Sequence, residues 1–167
     1  MLARVRIPCY SGARGILEQQ KAGRMEEFEP RLVAAYEAWH QTRGRSPDRF
    51  FALYSDDIEL HSILEASFED DMRGPFIGKP AAIAYFAAIA EQWEMLEAST
   101  EAFIARGDRI AWIGRAAWRN RKTLRVVDGP KVDVWTVRGG LAVHFLEMFD
   151  SYGCARALGI VDPPEEP

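Results

Sequence analysis

The chain predicts an α+β fold: helices come first, and a strongly curved antiparallel β-sheet wraps onto them and leaves a cone. Three observations carry that expectation. Apolar residues at helical spacing are confined to residues before 96. From 96 to 150 the pattern changes to apolar–polar alternation broken by turn signals. A length of 167 residues with 48% hydrophobic content suits one domain with a sizeable core.

The elements follow in order. "EPRLVAAYEAWHQTRG" (29–44) places Leu32, Ala35, Tyr36 and Trp39 on one helical face and ends at Gly44. Ser46-Pro47 caps and opens a second short helix over "DRFFALY". "DDIELHSI" (56–63) alternates as a strand. A loop rich in acid and glycine (64–79) carries a short strand near Phe76. "PAAIAYFAAIAEQWEM" (80–95) reads as a third helix with Ile83, Phe86, Ala90 and Trp93 as its apolar stripe. Strands follow at 96–105, 109–119, 123–127 with 131–138, and 141–150. Their turns fall at Arg106-Gly107-Asp108, Asn120-Arg121-Lys122, Asp128-Gly129-Pro130 and Gly139-Gly140.

The single domain is placed at 25–155. Residues 1–24 carry five cations against Glu18, a net +4, so the remainder of a chain of net charge −4 carries −8. That segment reads as a basic, poorly ordered extension or as sequence upstream of a start at Met25. Residues 156–167, with "VDPPEEP", read as an acidic, proline-rich tail.

Charge and spacing exclude several functions. A net charge of −4 speaks against non-specific nucleic-acid binding, which needs a basic face. The longest apolar run, "PAAIAYFAAIA", is about half the length that spans a bilayer, so no membrane association is expected. Cys9 and Cys154 stand far apart, which predicts free thiols and a cytoplasmic setting. Nucleotide-binding loops, zinc-protease and serine-hydrolase motifs are missing, and three scattered histidines give no metal spacing. No cofactor is expected.

Asp133 breaks the apolar pattern of "KVDVWTV". An ionised carboxylate among buried neighbours is costly unless it is paired or protonated, so Asp133 is expected to line a pocket. Glu147 shares a strand face with Phe145 and Phe149, which makes it a second carboxylate for the same cone. The two carboxylates would separate in pKa and divide acid and base roles, or Glu147 would pair with Arg115. His61 has an ordinary pKa near neutrality and is a candidate base, although alternation turns it away from the face of Ser62. Trp93, Trp112, Trp118 and Trp135 are candidates for the walls of an aromatic cavity, with Trp39 and Phe86 from the helical stripes and Phe149 from the last strand.

Four stretches, in this order, resemble the nuclear transport factor 2-like superfamily, in particular its SnoaL-like polyketide cyclase and ketosteroid isomerase branch. They are "FFALYSDDIELHS", "RGPFIGKPAAIAYFAAI", "IARGDRIAWIGRAAW" and "VDVWTVRGGLAVHFLEMFD". The resemblance covers about 29–151 and implies a cone-shaped, cystatin-like α+β barrel that usually dimerises through its sheet. It implies a cofactor-independent isomerase, cyclase, dehydratase or hydrolase for a small apolar or aromatic carbonyl compound, or a non-catalytic binding or assembly module on the same scaffold. In the isomerases a helix tyrosine and a protonated strand aspartate donate to an enolate oxygen. Tyr36 and Asp133 fall at those positions. The family's basic aspartate aligns with Ser62, which cannot act as that base and is carried as a substrate contact, so His61 or Glu147 would move the proton.

Overall fold

A computed structural model describes residues 12–65 and 72–161, with side chains from Met25 onward. The order is α1 (Gly12–Gln41), α2 (Asp48–Phe51), β1 (Tyr54–Ser62), β2 (Phe76–Ile77), α3 (Lys79–Gln92), β3 (Trp93–Arg106), β4 (Arg109–Asn120), β5 (Val126–Arg138), β6 (Leu141–Met148) and α4 (Ser151–Leu158). One sheet runs β2-β1-β6-β5-β4-β3, so it is open at both edges. β1 lies parallel to β6, and every other pairing is antiparallel. The sheet is therefore mixed rather than wholly antiparallel. Its parallel pair is possible because the long connection through β2, α3 and β3–β5 separates the two strands in sequence.

Curvature comes from irregular register. β3 slips against β4 between Met95 and Glu97 and again between Thr100 and Ala102, and β5 slips against β6 between Thr136 and Val137. An extra residue on one strand bends it and increases its twist. The bent sheet closes over α1, whose buried face is Met25, Phe28, Leu32, Ala35, Tyr36 and Trp39. These positions follow helical spacing, so one stripe of α1 supplies much of the core.

Several elements differ from the sequence expectation. α1 continues through Pro30, where the sequence suggested a start. α3 ends at Gln92, and Trp93 opens β3. The face of α3 also differs: Ala82, Tyr85 and Phe86 are buried, while Ile83 is exposed. A helix that is apolar nearly all round does not announce which face turns inward. Asp128-Gly129-Pro130 is not a turn, because β5 passes through it unbroken. β6 covers β5 only from Val132 onward, so Pro130 faces β4 alone and its missing N–H costs no ladder bond on the free side. The β4–β5 connection falls where the sequence placed one, from Asn120-Arg121-Lys122 onward, and there Asn120 Oδ1 accepts from the N–H groups of Lys122 and Thr123. α4 had no counterpart in the sequence reading. Asp150 caps it by accepting from Gly153 N at 2.8 Å. Its last carbonyls are held by Thr123 Oγ1 on Ala157 O and Arg125 Nη1 on Arg156 O.

Candidate functional site

Between the concave sheet face, α1, α3 and α4 lies a cavity of about 130 Å³. Trp39, Phe86, Trp93, Trp118, Trp135 and Phe149 all line it. The Tyr36 ring stacks on Trp112, with centroids 4.6 Å apart and planes 10° from parallel.

One wall of this aromatic cavity is charged. Asp133 on β5 and Glu147 on β6 are register partners and point to the same face. Both are buried, at 4% and 6% exposure. Lys131 lies two residues before Asp133, so strand alternation sends it to the same side. Its Nζ donates to Asp133 Oδ1 and lies 3.0 Å from Glu147 Oε2. Two tyrosines complete the set. Tyr36 Oη donates to Asp133 Oδ2 at 2.7 Å, and Tyr85 Oη donates to Glu147 Oε1 at 2.5 Å. Trp135 Nε1 in turn donates to Tyr36 Oη at 3.0 Å. The result is a continuous chain of hydrogen bonds from α1 through β5 and β6 to α3.

Burial decides the electrostatics. It pushes the Asp133 carboxyl above its ordinary pKa; the Lys131 ammonium opposes that shift and the Glu147 charge adds to it. Burial also works against the Lys131 ammonium, yet Asp133 and Glu147 more than offset it, so its pKa lies above that of an ordinary lysine. Lys131 is thus a fixed cation and not a nucleophilic amine. Burial, then Asp133, holds the Tyr36 hydroxyl protonated far above its usual range; burial and Glu147 do the same for Tyr85. With both carboxylates ionised the cluster carries −1, and with one proton shared it is neutral.

Comparison with known proteins agrees with this architecture. Residues 32–145 match the SnoaL-like domain family. The chain belongs to that family. Among solved structures, an NTF2-like protein of unknown function from Burkholderia pseudomallei K96243 superposes with a TM-score of 0.63 at 23% identity, covering 77% of this chain and 95% of that one. A protein of ketosteroid isomerase-like fold from Catenulispora acidiphila DSM 44928, in complex with trimethylamine, gives 0.62 at 12% identity over 78% and 96%. TerC co-crystallised with polyporic acid gives 0.64 at 18% identity over 78% and 98%. These likenesses establish the shared cone-shaped fold. No curated protein matches the chain.

Within this SnoaL-like domain the sequence candidates divide. Tyr36, Asp133 and Glu147 converge on one polar wall. His61 and Ser62 do not line the cavity. His61 sits on the outer sheet face, where its ring stacks on His144 at 4.8 Å and its Nδ1 lies 2.7 Å from Glu65 Oε1. Ser62 is buried and its Oγ accepts from Leu64 N at 3.3 Å, a local turn bond. The salt bridge considered between Glu147 and Arg115 does not form. Arg115 faces outward and pairs with Asp128 at 3.1 Å, because odd-numbered residues of β4 point away from the cone.

Two members of the wall were not anticipated. Lys131 shares the period-2 face of Asp133, a signal masked by placing a turn at Asp128-Gly129-Pro130. Tyr85 sits in the uniformly apolar run of α3, which gives no indication of facing. The tyrosine–aspartate arrangement also differs from an oxyanion hole. Tyr36 has one O–H and donates it in a hydrogen bond to Asp133, so the two side chains do not both present free donors to a ligand oxygen.

Proposed function

We propose that this SnoaL-like domain is a cofactor-independent acid–base enzyme for a small, hydrophobic carbonyl compound. The observation that carries the proposal is the pair Asp133 and Glu147, bridged by Lys131 in the wall of an aromatic cavity. A buried ion triad is seldom a gain in stability over apolar packing, since desolvating each charge costs several kcal/mol. Titratable groups perturbed by burial and by each other, in a ligand-sized cavity, point to function.

The chemistry follows from one shared proton. The ionised carboxylate removes a proton from the carbon next to the substrate carbonyl, and the C–H electron pair becomes the C=C bond of an enol. The protonated carboxyl gives its proton to the carbonyl oxygen. One carboxyl gains what the other loses, so the charge of the cluster does not change and no naked enolate forms in an apolar site. Reversal with the proton returned to a different carbon is an isomerisation; attack of the enol carbon on an internal electrophile is a cyclisation. Tyr36 and Tyr85 hold the carboxyls in place, and Lys131 keeps them from repelling each other. Positioned proton transfer of this kind contributes on the order of 10²–10⁴ in rate.

The same proposal includes a homodimer in a cytoplasmic setting. Support for the dimer comes from the outer sheet face, where Ile113, Val132, Val134, Leu146 and Met148 form an apolar patch that stays partly exposed. A non-catalytic ligand carrier is the competing reading, favoured by the closed hydrogen-bond pairing of both carboxyls.

Exchange of α-protons separates the two. In D₂O, the protein should accelerate deuterium uptake into 2-tetralone, followed by proton NMR, and Glu147→Gln and Asp133→Asn should each reduce that rate at least tenfold. Exchange no faster than in buffer, or equal in all three proteins, would leave only the carrier.

A further inference from the structure

The charged wall accounts for one end of a ligand. A second, unused polar group belongs to a residue that lines the same cavity. Trp93 is 4% exposed and lines the cavity, yet its indole Nε1–H meets no acceptor among the described residues. Two other tryptophans of the cavity are satisfied: Trp112 Nε1 donates to Thr100 Oγ1 at 2.9 Å, and Trp135 Nε1 donates to Tyr36 Oη. Buried indole N–H groups usually find a partner, and leaving one unpaired costs about 1–3 kcal/mol.

Position separates this donor from the acid–base wall. Trp93 lies opposite Asn120 on β4, whereas Lys131 lies opposite Gly114. Six strand positions span roughly 20 Å of backbone before the side chains reach inward. The Trp93 backbone is fixed as well, because its carbonyl accepts from Arg121 Nε at 3.2 Å. A second free donor exists at the charged end. Lys131 has three N–H groups and uses two on Asp133 and Glu147.

We infer that Trp93 Nε1 is a substrate-anchoring donor, and that the ligand is an elongated aromatic or enolisable molecule with two oxygen functions. One oxygen meets the Lys131–Asp133–Glu147 wall; the other, a carbonyl or ether acceptor, meets Trp93. The inference rests on the proposed site at the charged wall. Trp93 is a positioning residue, because it touches the ligand away from the reacting atoms.

A matched ligand pair tests it. The probes are 6-acetyl-2-naphthol and 6-isopropyl-2-naphthol, which share a shape and differ in one acceptor oxygen. Calorimetric affinities are measured for wild type and Trp93→Phe. In wild type the acetyl probe should bind about fivefold more tightly than the isopropyl probe, the worth of one hydrogen bond. In Trp93→Phe that ratio should fall to about one, while the isopropyl affinity stays within twofold of wild type. Equal ratios in the two proteins would overturn the assignment. If Trp93→Phe does not fold, benzothienylalanine at position 93 removes the N–H while keeping the ring, and the same ratios decide. Should neither naphthol bind wild type, the charged-wall reading and this inference fall together. A ratio that persists in Trp93→Phe while Asp133→Asn still weakens both probes overturns this inference alone.

Discussion

Lys131 holds two carboxylates that could not otherwise share one dry wall. Asp133 and Glu147 are direct register partners, and like charges facing each other across antiparallel strands repel. Removing the ammonium strands both. Lys131→Met should lose about 3–5 kcal/mol at pH 7 in urea denaturation, the cost of breaking a buried ion pair from one side. The loss should shrink at pH 4, where carboxyl protonation relieves the repulsion; equal losses at both pH values would contradict this role. Asp133 gives a second prediction. Its folded-state pKa is raised above the unfolded value. Its contribution to stability is therefore complete below the unfolded pKa and is lost as pH rises through the folded one. Asp133→Asn should remove that part of the pH dependence and flatten the profile above about pH 4, the ordinary aspartate value. At this scale Asp133 was legible because a lone carboxylate interrupted a β pattern. Lys131 was not, because the expected turn at Asp128-Gly129-Pro130 made it the first residue of a strand segment and hid the face it shares with Asp133. His61 alternates outward, and the structure places it on the outer face beside His144.

The strands and the last helix fix how accurately the wall is aimed. Gly114 on β4 lies opposite Lys131 and beneath Trp112. A Cβ there would meet Ser99 O at 2.2 Å and Trp112 Cζ2 at 2.4 Å. Backbone and a packed indole leave nowhere for a methyl group to go. Gly114→Ala should cost at least the 1–3 kcal/mol typical of overpacking, visible as a lower Tm. α4 is held from outside by the β4–β5 connection through Thr123 and Arg125. Its Cys154 side chain lines the cavity. Losing the Asp150 cap in Asp150→Ala should cost about 1 kcal/mol and raise hydrogen exchange in α4 ahead of the sheet. Strand existence was readable from alternation, and the Gly-Asp and Gly-Gly turns were placed correctly. The continuity of β5 was not, because glycine and proline punctuate a sequence whether or not a partner strand is present on the side they disable. α4 escaped because it is only eight residues long, with Gly153 inside it and Gly159 at its end.

For the whole molecule, a single bent sheet around α1 buries a polar cluster and leaves an apolar patch on its outer face. That face predicts assembly. Leu146→Arg, on the outer face of β6, should shift the sedimentation coefficient to that of a monomer with little change in secondary structure; a wild-type monomer would remove the dimer from the account. The fold class was legible because the four long strands β3–β6 follow one another without a helix between them, after a stretch dominated by helical period. The parallel β1–β6 pair was not, since pairing between distant strands leaves no local trace.

The most direct test of the central claim is calorimetric titration of wild type, Asp133→Asn and Glu147→Gln with 2-naphthol at pH 7. The phenol is a stable stand-in for a neutral enol in the aromatic cavity, with its hydroxyl on the charged wall. Micromolar binding to wild type, weakened about tenfold or more in each variant, roughly 1.4 kcal/mol, is the predicted result. Affinity that is the same in all three proteins would mean that the carboxylate pair does not meet the ligand.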